Sequence, residues 1–508
     1  MRGENCIMKT AGRIAVILLA ALFVLPLFSC RQEPDGESTG LPTEPPATER
    51  ASQPGEYAEI DAYVKELAEG ADTEGMTFTF IGRSSDNFPK EDKETGDIQS
   101  DAVYFRQRDL SEAFGLNWEP VITENGDATK DRVINEVTAG GSSYDLVFGN
   151  VITVSQHLLN AGVILRVDTL DDYIDLDRPW WVGSLRDVYS IGGKLFILRG
   201  DIAVENFEDP TCVMFNKTVC SMFSIDEEEL YSLAAEGKWT LDEFERAASH
   251  IPVNPTGEGV FRYANFEGIE FIFSCGMTIT KFDEDGYPYL EDSLPVEIVN
   301  LSDRTSGMFG DRTQTASWDW TKGESKTDVF GVDKDYDWFL ENRALFLTAS
   351  TGSAIGYRQF DVVFGILPMP KASASQEQYY SYADPWGSGS VTIPKTTKSI
   401  PATATVTEGM AALSAKYVKT AYYDMLLRSQ SIFDLQSRDM LDIIFDTIIY
   451  DMVDLYSGGD MDSWGPLMND LHYAMSYDNS SIVSDYKGNV RVTKYYIKAL
   501  IKAADGME

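Results

Sequence analysis

From residue 76 onward, the apolar positions of the chain alternate between strand-like runs and helical spacing. Strands are predicted at residues 76–81, 118–122 and 144–148. Between them, residues 102–114 and 127–138 place apolar side chains three or four positions apart, which is the spacing of an amphipathic helix. Strands that alternate with helices are typical of a parallel, doubly wound sheet. This part of the chain therefore predicts one α/β lobe.

A second group of apolar strands lies late in the chain, at residues 344–348, 362–367 and 390–393. Pro368 and Pro394 end two of these strands, because proline lacks the backbone donor that strand pairing needs. The small residues 349–353 predict a turn. Strands this late in an alternating chain indicate a return to an earlier sheet, so residues 345–395 are predicted to cross between two lobes.

An earlier crossing is predicted between Asp201 and Thr211, where a new apolar strand begins. The predicted fold class is α/β, with two doubly wound α/β lobes joined by a hinge and a helix-rich C-terminal part. In that part, the apolar residues from Leu441 to Met452 predict one continuous helix face. The predicted lobe boundaries are 57–205 plus 349–395 for lobe 1, and 206–348 plus 396–508 for lobe 2.

The first 29 residues have the pattern of a lipoprotein signal peptide. Lys9 and Arg13 precede an apolar run at 14–27, which is too short for a comfortable membrane span. A small residue then precedes Cys30, as in a bacterial lipobox. Residues 1–29 are therefore predicted to be removed, leaving Cys30 as the lipidated first residue. An ordinary secretory signal with an incidental cysteine is the alternative.

Residues 30–56 are rich in Pro, Glu, Thr, Ser and Gly and contain almost no large apolar side chains. Such a composition cannot form a core and predicts a flexible tether. The expected location is the extracellular face of the cell membrane, with the lipid on Cys30 as the anchor.

Composition excludes several classes of partner and site. A net charge of −39 disfavours nucleic acid, whose phosphates need a basic surface. Beyond the signal segment and Cys30, only Cys212, Cys220 and Cys275 remain, without the spacing of a zinc site or a disulfide framework. The 508-residue length favours two domains, each with its own core.

No familiar catalytic motif is present. The sequence lacks the GxSxG elbow, the phosphate-binding GxxxxGK[ST] loop and the dinucleotide-binding GxGxxG pattern. Residues 333–337 resemble the start of a calcium loop, but Trp338 and Ala344 stand where a glycine and a glutamate are needed. We therefore predict no enzyme activity, no metal and no cofactor.

Ligands of doubly wound folds bind beyond the carboxyl ends of the strands. Trp386 lies in a polar, turn-rich crossing segment, where an indole ring is available to stack on a sugar face. Trp180 and Trp181 are instead predicted to be structural. The predicted ligand-binding residues are Trp386 and five polar residues at strand ends or crossings: Arg83, Asn150, Asp201, Ser350 and Thr351.

Several short motifs, taken in order, resemble those of extracellular solute-binding lipoproteins of ABC importers, especially the carbohydrate-type family 1 branch. The likeness covers about residues 75–455. Besides the lipobox, its motifs are YDLVF at 144–148, DRPWW at 177–181, GKLF at 193–196, GD at 200–201, VMFNK at 213–217, GKWT at 237–240, FGILPMPK at 364–371, AYYD at 421–424 and MLDII at 440–444.

This resemblance implies two α/β lobes of the type II periplasmic-binding-protein kind, which close on a sugar or oligosaccharide. It also implies a membrane permease, driven by a separate ATPase, as the partner that receives the solute. We expect the protein to act as a monomer. The segment 304–326 matches no motif that can be assigned.

Three other functions stay open at this point. A surface glycoside hydrolase or lyase would need a carboxylate pair facing the cleft. A sensor would present the bound ligand to a receptor kinase instead of a transporter. A polysaccharide-adhesion module would have an open aromatic platform, which the two predicted crossings disfavour.

Overall fold

The computed structural model describes residues 54–83, 87–89, 92–264, 268–316, 338–357, 360–384, 387, 389–427, 435–456, 465–477 and 479–507. The strands are β1 Thr77–Gly82, β2 Asn117–Ile122, β3 Leu146–Asn150, β4 Thr211–Asn216, β5 Phe261–Ala264, β6 Lys281–Phe282, β7 Pro288–Tyr289, β8 Thr315–Ala316, β9 Ala344–Ser350, β10 Phe364–Pro368, β11 Ser381–Tyr382, β12 Gly389–Thr392 and β13 Ile448–Ile449.

The α-helices are Pro54–Glu69, Ile98–Phe114, Gly126–Thr138, Gln156–Asn160, Leu185–Tyr189, Glu205–Glu208, Lys217–Phe223, Glu227–Ala235, Leu241–Ala248, Ile269–Ser274, Val296–Phe309, Thr351–Tyr357, Ile400–Ser414, Thr420–Leu427, Leu435–Asp446, Pro466–Ser476 and Ile482–Asp505. Single π-helical turns lie at Val151–Ser155 and Ala415–Lys419, and a 3-10 turn lies at Met452–Leu455.

The first sheet has four strands in the order β12-β3-β1-β2. β1 pairs in parallel with both β2 and β3, which confirms the predicted alternating arrangement, and β12 returns antiparallel to β3. Phe80 of β1 lies 6.2 Å from Phe148 of β3, measured between ring centroids, and both rings are buried. Burial of rings of this size accounts for much of the stability of a sheet face.

Two long helices of this lobe pack against each other. Helix Ile98–Phe114 is capped at its start by Asp97, which accepts from Ser100 N, and it ends at Gly115 in the left-handed region. Helix Ile400–Ser414 packs against it and against Pro54–Glu69. Ile400–Ser414 was predicted to belong to lobe 2, and this assignment is wrong for the helix. Residues 402–414 of this helix are all buried, as expected for a helix that lies between other helices. A helix that is buried on every side has no periodicity that would indicate which lobe it joins.

The second sheet has five strands in the order β10-β4-β9-β5-β8. β5 pairs in parallel with β9 and β8, and β4 pairs antiparallel with β9 and β10. The Trp239 indole is fully buried under this sheet and donates to the carbonyl oxygen of Pro368 at 3.0 Å. Thr240 caps the next helix by accepting from Glu243 N.

The late crossing was predicted at residues 345–395. The chain does pass from the second sheet to the first within this range, but only between β10 and β12. β10 was predicted to lie in lobe 1, yet it pairs with β4 of the second sheet, and the return to the first sheet comes only at β12. Between them, β11 pairs in parallel with β13. The prediction failed for β10 because an apolar strand flanked by prolines fits either sheet, and only its partner decides.

Two local predictions also need correction. The small residues after β9 do not form only a turn, because Thr351–Tyr357 is a helix. The apolar face predicted to run from Leu441 to Met452 is interrupted, since helix Leu435–Asp446 ends and Ile448 and Ile449 form β13. These β-branched residues meet the requirements of a strand as well as those of a helix face. A turn at 283–286 connects β6 and β7, which pair antiparallel.

Among the residues that the structure describes, no helix is long and apolar enough to span a membrane. Within the same residues, no group of three or more His, Cys, Asp or Glu side chains is arranged to hold a metal ion. Cys212, Cys220 and Cys275 are unpaired and buried, and burial raises the pKa of each thiol. Cys30, the predicted signal peptide and most of the predicted tether fall outside the described residues.

Candidate ligand-binding site

The first passage from sheet to sheet contains one helical turn, Glu205–Glu208, followed by Asp209. We call residues 205–209 the crossing turn. Residues three and four positions apart share one face of a helix, so Glu205, Glu208 and Asp209 face one side. Asn206 and Phe207 face the other. The two sides of the crossing turn therefore meet different surroundings.

Glu205 is held in place by the loop that follows β1. The Nδ2 of Asn87 donates to both carboxylate oxygens of Glu205, at 2.9 and 2.7 Å. The Oδ1 of Asn87 accepts from Val204 N at 2.9 Å, and the Asn87 carbonyl accepts from the buried Arg106 at 2.5 Å. Asn87 is 1% exposed. This network fixes the Glu205 carboxylate where the carboxyl end of β1 meets the crossing turn.

Asp209 lies in a strongly acidic environment at the same place. Its Oδ2 is buried and has no hydrogen-bond partner in the described part of the chain. Burial raises the pKa of Asp209 well above its usual range, and the negative charges of Asp384, Glu205 and Glu208 raise it further, while Arg199 opposes the shift. A Cβ atom on Gly387 would overlap the Asp209 carboxylate. The residue next to Trp386 is thus in contact with this cluster.

The second sheet reaches the crossing turn through the end of β9. Ser350 pairs in register with Thr211, and the backbone N of Thr351 donates to Pro210 O at 3.0 Å. The Thr351 hydroxyl donates to Phe207 O at 2.7 Å and to Glu208 O at 3.3 Å. The strand ends of both sheets therefore converge on the crossing turn, which is where ligands of open α/β sheets bind.

Four predicted residues lie around this convergence. Asn150 is buried at the end of β3, pairs in register with Gly389, and caps the next turn by accepting from Thr153 N at 2.9 Å. Thr351 is also buried, and its hydroxyl bonds backbone carbonyls. Ser350 is half-buried, and Arg83 is exposed at the end of β1. Contact of these four residues with a ligand stays a prediction.

The other two predicted residues differ in location. Trp386 lies outside the described residues. Asp201 lies on the opposite side of the crossing turn, where it forms an ion pair with Lys419 at 3.3 Å. Burial raises the pKa of Asp201, and Lys419 opposes this shift.

Asp201 lines a cavity of about 360 Å³, which we call the hinge pocket. Its walls are residues 179–184, Gly200, Asp201, Asn206, Phe207, Gln378, Lys419 and residues 445–450. It shares no lining residue with the acidic face formed by Glu205, Glu208 and Asp209.

Trp180 and Trp181 are packed into the first lobe, as predicted for structural residues, and they also form part of the wall of the hinge pocket. Both are buried, and their indole nitrogens donate to the two carboxylate oxygens of Glu408, at 2.9 and 2.8 Å. Tyr63 donates to the same carboxylate at 3.0 Å. Glu408 is fully buried, and this burial raises its pKa to about 7, although the donated hydrogen bonds oppose the shift.

The sequence interpretation missed Asn87, Glu205, Glu208, Asp209 and Asp384. A usable signal was present for the crossing turn, because three acidic residues follow the apolar run 202–204 inside the predicted crossing. No local signal marked Asn87, whose partner Glu205 lies 118 positions away.

Comparisons with known proteins agree with this architecture. No protein-family model matches the sequence, and no curated protein matches it. Among solved structures, the galacto-N-biose/lacto-N-biose I-binding protein of an ABC transporter from Bifidobacterium longum, in complex with lacto-N-biose, has a TM-score of 0.53 at 12% identity, covering 84% of this chain and 99% of its own.

Two further structures are similar. The ABC substrate-binding protein from Listeria monocytogenes in complex with cycloalternan has a TM-score of 0.50 at 12% identity, covering 86% of this chain and 100% of its own. UgpB from Mycobacterium tuberculosis in complex with glycerophosphocholine has a TM-score of 0.50 at 14% identity, covering 85% of this chain and 99% of its own. The chain therefore has the two-lobed α/β fold of the solute-binding proteins of ABC transporters, as its resemblance implied.

Proposed function

We propose that the protein captures a sugar or oligosaccharide between its lobes and delivers it to the permease of an ABC importer. The observation that carries the proposal is the acidic face of the crossing turn, placed where the strand ends of both sheets meet. Structures of the same fold hold lacto-N-biose and cycloalternan, which supports a carbohydrate as the class of solute.

The chemistry of the acidic face suits a hydroxyl-rich ligand. Carboxylates accept hydrogen bonds from hydroxyl groups, and charge-assisted hydrogen bonds are stronger than neutral ones. Glu205 is already oriented by Asn87, so little side-chain freedom is lost when a hydroxyl binds. We also propose that the ligand contacts five residues predicted from the sequence: Arg83, Asn150, Ser350, Thr351 and Trp386.

Capture requires no chemical step. A solute that contacts both lobes favours the closed arrangement by its greater affinity for that arrangement. The permease would then recognise the closed protein. We propose that the lipid on Cys30 and the tether 30–56 keep the monomeric protein at the extracellular face of the membrane.

A thermal-shift screen of the purified full-length protein tests this function. The panel contains maltose, lacto-N-biose, cycloalternan, glycerophosphocholine, amino acids and short peptides. A ligand that binds only the folded protein raises the melting temperature with concentration. We expect a rise with at least one carbohydrate and no product after long incubation. A rise only with peptides or amino acids, or only with glycerophosphocholine, would contradict the carbohydrate assignment, and product formation would show an enzyme.

A further inference from the structure

The hinge pocket is walled by both lobes. Residues 179–184 belong to the first-lobe side, because the indoles of Trp180 and Trp181 bond Glu408 of helix Ile400–Ser414. Residues 445–450 come from the end of helix Leu435–Asp446, which packs on β10 of the second sheet, and from β13. The cavity of about 360 Å³ lies in the size range of small-molecule sites, which is roughly 300–1,000 Å³.

Asn206, which lines this pocket, has one buried acceptor without a donor among the described residues. Asn206 is 4% exposed, and its Nδ2 donates to Gly200 O at 2.7 Å, which fixes the orientation of the amide. Its Oδ1 is then buried with no partner among the described residues. A buried polar atom of this kind costs free energy unless a donor reaches it. Asn206 thus gives the wall of the pocket an acceptor that no donor of the described residues satisfies.

The other polar groups define the ligand further. Asp201 offers a carboxylate acceptor, and Lys419 lies 3.3 Å from it as a donor. Asp446 also lines the pocket, so two carboxylates oppose an anion. Phe207 and Tyr450 supply apolar ring surface. Acceptors, the hydroxyl, amide and ammonium donors of the lining, and aromatic rings together match a neutral molecule with several hydroxyl groups.

We propose that the hinge pocket is a second binding site, separate from the solute site, for a small neutral polyhydroxy molecule of one or two sugar rings. The separation follows from the crossing turn, whose acidic residues face one way while Asn206 and Phe207 face the other. This second site does not depend on the proposed transport function, because its lining and chemistry are its own.

Gly183 gives a direct way to block the pocket. A Cβ atom there would meet nothing within 4 Å, and its backbone does not need glycine. Gly183→Trp therefore fills the pocket from its rim, and Gln378→Trp fills it from another wall. Gly488→Trp is the matched control, because Gly488 also has open space around it, on an exposed helix far along the chain.

The test is saturation-transfer NMR with D-glucose, myo-inositol and maltose on the full-length protein and its variants. We expect at least one probe to lose its signal in Gly183→Trp and Gln378→Trp, and to keep it in Gly488→Trp and in Glu205→Gln. Equal signals in Gly183→Trp and Gly488→Trp for every probe would overturn the second site. Loss of the same signal in both Gly183→Trp and Glu205→Gln would also overturn it, by showing one continuous site.

The proposed function is judged separately in the same experiment. Its failure would appear as the absence of any probe or solute whose binding depends on Glu205. The behaviour of the blocked variants is independent of that result. Melting curves that match the Gly488→Trp control establish that each blocking variant is folded.

Discussion

At the scale of single residues, the Glu205 carboxylate is oriented by a residue that is distant in the sequence, Asn87. The carboxylate is fixed by both donors of Asn87, which is itself buried and tied to Val204 and Arg106. The sequence allowed Asn150 and Ser350 to be placed at strand ends, because a strand end follows from a local pattern. It did not allow Asn87 and Glu205 to be paired, because long-range pairing depends on how the lobes assemble.

Substitution Glu205→Gln is expected to weaken binding of the captured sugar. The amide retains one acceptor for Asn87 but replaces a charged acceptor by a donor group. Loss of a hydrogen bond to a charged group costs about 1.5–3 kcal/mol, which is roughly tenfold to a hundredfold in affinity. Isothermal titration calorimetry with the sugar found by the thermal-shift screen measures this change.

The control is Glu297→Gln, since Glu297 is exposed on the distant helix Val296–Phe309. Equal affinities for Glu205→Gln and Glu297→Gln would remove Glu205 from the site.

Glu408 predicts a specific dependence of stability on pH. Its pKa rises from a usual 4.5 to about 7 in the folded protein, mainly because it is buried. The folded state thus holds this proton more tightly, so the contribution is fully present below pH 4.5 and is lost as the pH rises through 7. The shift corresponds to about 3 kcal/mol. Denaturant unfolding at pH 5 and pH 8 measures the loss.

Glu408→Gln removes the titrating group and should flatten this part of the pH profile. Asp201, Asp209 and Asp451 also have raised pKa values and remain in the variant, so the comparison is the difference between the two profiles. A pH profile of Glu408→Gln parallel to that of the unchanged protein would contradict a raised pKa at Glu408.

At the scale of elements, the segment 179–201 depends on a close approach of two backbones. Gly200 bridges to Trp181, and Asp201 N donates to Trp180 O at 2.8 Å. A Cβ on Gly200 would overlap the carbonyl oxygen of Trp180. Because this contact is with backbone, it cannot be relieved by a side-chain rotation.

Gly200→Ala is therefore expected to lower the free energy of unfolding by at least about 2 kcal/mol, as overpacking does in a closed space. Gly183→Ala in the same segment should change it little, because its Cβ would meet open space. Urea unfolding of the pair checks the prediction. Similar stabilities of the two variants would show that the approach at Gly200 is not required.

Elements with a strong local pattern were predicted well, and ambiguous ones were not. The pattern predicted β1, β3 and β4 to within two residues, since their apolar runs are bounded by Gly or Asn. The stretch after β9 was predicted as a turn but contains a helix, because small residues are compatible with both structures. Helix Leu435–Asp446 ended earlier than predicted, since pairing of β13 with β11 competes with the helix.

At the scale of the whole molecule, the fold class followed from the sequence, whereas the assignment of late elements to lobes did not. When a chain returns to an earlier sheet, the local sequence of each late strand is compatible with pairing in either of the two sheets. Tertiary contacts decide that β10 joins β4 and that β12 joins β3. The boundary predicted at residue 395 fails for the same reason, because helix Ile400–Ser414 packs on first-lobe helices.

If solute capture closes the two lobes, the protein becomes more compact when the sugar binds. Small-angle X-ray scattering of the full-length protein, with and without the sugar identified by the thermal-shift screen, measures this most directly. We predict a smaller radius of gyration at saturating sugar and no product. We also predict a smaller decrease for Glu205→Gln than for the unchanged protein when both are compared at a sugar concentration near the dissociation constant of the unchanged protein. An unchanged radius of gyration at saturating sugar would contradict capture by closure.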